Sequence, residues 1–63
     1  MKLKIVIEMD NAAFDDGISL ETARILESLA WDMRGDNRLS NIGDHETLVD
    51  FNGNRVGQAK VTR

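Results

Sequence analysis

The chain of 63 residues has no cysteine and no proline, one histidine, one tryptophan and two phenylalanines. Without cysteine there is no disulfide and no thiolate metal site, which fits a reducing compartment where neither is needed. With no proline, no internal repeat and no low-complexity tract, nothing marks a linker, so one domain over residues 1–63 is expected. No apolar run exceeds three residues, as in Ile5 to Ile7, against the roughly 20 of a membrane-spanning helix. The N-terminus shows no signal-peptide pattern, and a cytoplasmic protein with no membrane contact is expected. Eight basic and eleven acidic residues give a net charge of −3. That balance argues against a general coat for phosphate backbones but leaves room for a local basic patch.

What is present is one strongly periodic stretch, Ile18 to Arg34. Wound at about 100° per residue, it gathers Ile18, Thr22, Ile25, Leu26, Leu29, Ala30 and Met33 on one side, the pattern of a helix lying on a core. Ser19 stands where a side chain caps the first turn, Glu21 suits the positive helix end, and Ile18 with Ala23 occupies staple positions. Gly35 after Arg34 reads as the stop.

The rest reads as strand or loop. Lys2 to Met9 alternates, with Leu3, Ile5, Ile7 and Met9 on one face, a strand with one buried side. Asp10 to Gly17 is turn-rich, with Phe14 placed to tuck under the helix start. After Gly35 the periodicity is lost until about Glu46, and only Leu39 and Ile42 are available to pin that loop. Thr47 to Phe51 and Arg55 to Val61 then flank Asn52-Gly53, a strong hairpin signal. A two-residue turn pairs Val49 with Val56, whereas a longer turn using Asn54 pairs Phe51 with Val56, and both registers remain open. Gly57 before polar Gln58 suggests a bulge. The order strand, helix, strand, strand predicts a two-layer α+β fold, one amphipathic helix on a three-stranded, mainly antiparallel sheet ending in a hairpin, with the last strand preferred in the middle. Such a sheet has two open edges, either of which can pair with another chain and make a homo-oligomer.

Residues that could carry a function are few. Leu20, Arg24, Glu27 and Trp31 form one line along the helix, about 16 Å long, away from the apolar stripe. Tryptophan and arginine are enriched at binding hot spots, although Trp31 can equally fold over the rim of a thin core or against Leu39 and Ile42. Asp10, Asp15 and Asp16 could offer oxygens to a hard cation, but turn formation before a helix explains them without a metal. Asp50 to Asn54 opens like a calcium loop and then fails, with Arg55 where glycine is needed and Val61 where glutamate is needed. His45 between Asp44 and Glu46 has no second histidine or placed nucleophile, and Ser19, Ser28 and Ser40 lack a nucleophile context, so no enzyme, cofactor or metal is expected. Lys2, Lys4, Arg55, Lys60 and Arg63 fall on strands or the terminus. A sheet could gather them into a nucleic-acid-binding face, although the stacking aromatics of such faces are missing, since Phe51, the one strand aromatic, is expected to face the core.

Met9-Asp10-Asn11-Ala12-Ala13-Phe14, Ala23-Arg24-Ile25-Leu26 with Leu29-Ala30, and Asp50 to Gly57 with Ala59 together resemble short bacteriophage and prophage proteins. The resemblance covers about half the chain and carries no site residues. It implies a setting, a phage product in a bacterial host cytoplasm, where small accessory proteins often bind and redirect a host or phage protein. The sequence therefore leads to a non-catalytic protein-interaction module using Leu20, Arg24, Glu27 and Trp31, with a nucleic-acid-binding accessory protein using the basic residues as the alternative.

Overall fold

The computed structural model describes all 63 residues, in the order β1 (Lys2–Ile7), a 3-10 turn (Ala12–Phe14), α1 (Ile18–Asp36), β2 (His45–Val49) and β3 (Arg55–Thr62). The sheet order is β1-β3-β2 with both pairings antiparallel, so the last strand is central, as the chain order favoured. This is the expected small α+β fold.

The core is thin. Ala13, Phe14, Ile25, Leu29, Leu39, Leu48, Val56, Ala59 and Val61 form its buried cluster. Phe14 is 2% exposed and does sit under the helix start. The 3-10 turn is held by Asn11, whose Oδ1 accepts from the Ala13 N–H at 3.0 Å. Leu39 pins the loop after the helix, at φ +61°, a left-handed conformation costly for leucine that its burial in the core offsets. Ile42 is exposed and pins nothing.

The helix differs from the expectation at both ends. Its N-cap is Gly17, with no side-chain cap bond, so Ser19 lies inside the first turn and Ile18 is exposed rather than stapled. Gly35 stays helical, and the stop is Asn37, left-handed at φ +54°, a conformation asparagine tolerates better than most residues. The buried line is also narrower: only Ile25 and Leu29 of the expected stripe are buried, joined by Glu21, while Ile18, Leu26 and Ala30 stay exposed. The cause is tertiary. The helix leans over β2, turning the 21, 25, 29 row inward and leaving the other flank of its stripe above β1. For the same reason Leu3, Ile5 and Met9 are not buried, and only Ile7 of that face packs against the core.

The hairpin takes neither expected register. Val49 pairs with Arg55, and the turn is closed by Asp50 N–H to Asn54 O at 2.9 Å and Gly53 N–H to Asp50 O at 3.0 Å. Gly53 alone adopts positive φ, +85°, so this is a three-residue loop with glycine in the left-handed position rather than a type I′ turn. The strand stops at Val49, and Phe51, expected to face the core, is 62% exposed. A register shift between Leu48 and Val49 leaves Val56 as an extra residue on β3, the bulge anticipated near Gly57. It turns Val56 into the core. Gly57 is required there by space, since a Cβ on it would lie 1.9 Å from the Val6 carbonyl oxygen.

Candidate interaction surfaces

Leu20 and Trp31 are each 76% exposed, at the two ends of the helix line, and Glu27 between them is exposed too. Trp31 therefore neither covers the core rim nor meets the loop. Arg24 differs. Its guanidinium forms two bonds with Glu21, Nε to Oε1 at 2.8 Å and Nη2 to Oε2 at 3.0 Å, and its Nη2 also donates to the Val49 carbonyl at 3.3 Å. Glu21 in turn accepts the Phe51 N–H at 2.8 Å. Arg24, mainly through its hydrogen bonds to the Glu21 carboxylate, holds that group below its ordinary pKa, with the Phe51 N–H helping and burial opposing. Arg24 is thus a fixed, neutralised strut that ties α1 to β2.

The same strut positions Phe51. Its N–H is held by Glu21, so its ring projects beside Leu20 and Arg24, where Ala13, Asp16 and Gly17 complete a shallow depression. Phe51 is the surface residue that sequence reasoning missed. A place for it in the core requires strand pairing to continue through residue 51, whereas β2 ends at Val49. With Arg24 engaged, the exposed charges around Leu20 and Trp31 are Asp16, Glu27, Asp32 and Arg34, with Asp32 also 3.9 Å from Arg38, so the apolar line has a rim of mixed charge.

Beneath Phe51, Asp50 is 2% exposed and organises the turn. Its Oδ1 accepts the N–H groups of Asn52 at 2.8 Å and Asn54 at 2.9 Å, and its Oδ2 accepts Asn11 Nδ2 at 2.7 Å. Burial pushes its pKa up, but these bonds outweigh it and the net shift is downward. The acidic residue of the supposed calcium loop is therefore a structural acceptor.

The basic residues separate into two groups. Lys4 faces Lys60 across the β1–β3 pair, Lys60 faces His45 across β3–β2, and Lys2 faces Thr62. With the helix above the opposite face, Lys2, Lys4 and Lys60 gather at one end of the uncovered face of the sheet, and Arg63 follows the end of β3. Arg55 lies at the far end, where Glu8, Asp10 and Asn11 line a depression with it. His45 Nδ1 is 3.4 Å from the Gly43 carbonyl. No three His, Asp or Glu side chains converge anywhere as a metal site would require, and Asp10, Asp15 and Asp16 are exposed singly. No helix is long and apolar enough to cross a membrane.

No protein-family model, curated protein or solved structure matches the chain.

Proposed function

We propose that this protein is a non-catalytic protein-binding module, an accessory protein of phage type working in a bacterial cytoplasm, that docks a host or phage protein on the line of Leu20, Arg24, Glu27 and Trp31. The observation that carries the reading is the exposure of Leu20 and Trp31 at 76% each, two large apolar side chains spaced along a helix whose opposite side already serves the core. Phe51 widens the apolar end beside Leu20, its N–H held by the Glu21 carboxylate that Arg24 pairs. Large apolar side chains in a polar rim are the usual anatomy of a binding hot spot. The rim of mixed charge calls for a partner with apolar pockets in a polar border. Trp31→Ala should change stability by no more than about 0.5 kcal/mol, the range of surface substitutions, and abolish capture of the partner from nuclease-treated bacterial lysate. A variant that captures the same protein as well as wild type does would refute the reading.

The basic sheet face favours a second reading, a nucleic-acid-binding accessory protein. Lys2, Lys4 and Lys60 share one end of an uncovered face in a chain of net charge −3, with Arg63 next to them and Arg55 apart. Binding by these groups would fall steeply with added salt. No retention on DNA or RNA at low salt would remove it.

A further inference from the structure

We propose that two copies of this chain pair through β1, antiparallel about a two-fold axis at Ile5, to form one continuous six-stranded sheet with both helices on the same face. The inference is independent of the helix-line reading, since it uses the other side of the molecule.

The ladder shows which backbone groups are free. Glu8 N–H donates to the Val56 carbonyl at 2.7 Å, and Glu8 continues the register in which Ile7 faces Gly57. Hydrogen-bonded pairs alternate along an antiparallel ladder, so Lys2, Lys4 and Val6 direct their N–H and C=O groups to β3 while Leu3, Ile5 and Ile7 direct theirs to the open edge. The side chains of these three residues lie on the helix side of the sheet. Leu3 is 43% and Ile5 39% exposed, with Leu26 of α1 half-bare above them. A free hydrogen-bonding edge and an unfinished apolar face therefore coincide. The whole chain exposes 4606 Å², against about 4,100 Å² expected for a compact monomer of this mass. The edge has no bulge, proline or inward-pointing charge, and its guards are the exposed Lys2 and Lys4, which limit the registers it can take.

The sequence of β1 selects both the occupant and the register. Outward groups must face outward groups, so odd residues oppose odd ones. Centring the pair on Leu3 sets Lys2 against Lys4 of the second copy, and centring it on Lys4 sets two copies of Lys4 face to face; like charges directly opposite are destabilising. Centring it on Val6 also sets a lysine, Lys4, against Glu8, but its outer hydrogen-bonded pair, Leu3 with Met9, reaches past the end of β1 and Lys2 is left out. The hydrogen-bonded residues of an Ile5 centre, Leu3, Ile5 and Ile7, instead all lie within the strand. Centring it on Ile5 uses the whole strand. Ile5 then meets Ile5, Leu3 meets Ile7, and Lys2 meets Glu8 at both ends, with about six new backbone hydrogen bonds. This charge complementarity is of the strand with itself, which identifies the occupant as a second copy.

Sedimentation equilibrium of the full chain should give about twice the 7.1 kDa monomer mass at high concentration, dissociating on dilution. Lys2→Glu replaces two cross-strand attractions by two repulsions and should weaken the dimer roughly ten- to thirtyfold. The double variant Lys2→Glu with Glu8→Lys should restore it. Amide spectra serve as the fold control, since Lys2 is exposed, and Trp31→Ala should leave the dimer constant unchanged. A chain that stays monomeric at millimolar concentration would overturn the proposal and leave the edge to a foreign strand. A dimer indifferent to Lys2→Glu, or a double variant that does not recover, would overturn it equally.

Discussion

The two edges of the sheet are built from the same kind of strand and finished differently. At the β2 edge, Arg24 reaches down from the helix to the Val49 carbonyl, and Arg38 bonds both Asp36 at the helix end and Glu46 on β2 at 2.6 Å. Glu21 and Asp50 anchor the turn beside it. At the β1 edge no side chain of the helix does the same. The Thr22 hydroxyl touches only the Met9 sulfur, at 3.2 Å, while also bonding the Ile18 carbonyl. A chain this short has one helix, and that helix covers the half of the sheet to which its polar side chains tie it. The other half keeps its backbone ladder and lacks a roof.

If β1 is held chiefly by that ladder, the substitution with the largest effect is the one that pushes the ladder apart. Gly57→Ala sets a Cβ 1.9 Å from the Val6 carbonyl oxygen and 2.9 Å from its carbon. Both are backbone atoms that cannot rotate away, so β1 must separate from β3 locally. The expected loss is about 3 kcal/mol or more, the upper range for overpacking, read from urea unfolding. A loss below about 1 kcal/mol would show that β1 shifts freely against β3, and the comparison of the edges would then rest on the side chains alone.

The polar anchors give the next largest effect, on the β2 side. Asp50→Asn puts an amide NH₂ among donors and should lower the melting temperature by roughly 10 °C at pH 7. The dependence on pH follows from the direction of the shifts. Glu21, chiefly through Arg24, and Asp50, through hydrogen bonds that outweigh burial, both have folded pKa values below their ordinary ones. Their contribution is complete above the ordinary carboxyl range, near 4, and is lost as the pH falls through the lowered folded values. Wild type and Asp50→Asn should therefore converge in stability as the pH falls through the lowered folded pKa of Asp50. Curves that stay parallel throughout the acid range would show that the carboxylate charge at Asp50 is not what holds the turn.

These anchors also mark where the sequence stopped being readable. The helix, the clean alternation of β1 and the central place of β3 were legible because each follows from a local period or from the order of elements. Phe14 was legible because one aromatic in a turn before a helix has few places to go. The burial of Glu21 and Asp50 was not, since their partners Phe51 and Asn11 lie 30 and 39 residues away, and nothing in a local window distinguishes such a carboxylate from a solvated one. That omission propagated. With Glu21 turned inward, the buried row of the helix shifts away from Leu26 and leaves Leu3 and Ile5 of the β1 face partly bare. The line of Leu20, Arg24, Glu27 and Trp31 could be laid out from helical spacing alone, but the difference between its free tryptophan and its engaged arginine required the sheet.

The smallest effect tests whether the two halves are mechanically separate. Arg38 is partly exposed, so its bonds to Asp36 and Glu46 are screened by solvent, and Arg38→Gln should lower the melting temperature by only about 3 °C. The informative quantity is where the loss falls. Glu46 and Leu48 face Ala59 and Gly57 across the β2–β3 ladder, and loosening the latch beside them should speed their amide exchange. Lys4 and Val6, bonded to β3 from the other side, should exchange as in wild type. If all four accelerate together, the sheet opens as one cooperative unit. The roofed and unroofed edges would then differ in what they offer a partner and not in how firmly each is held.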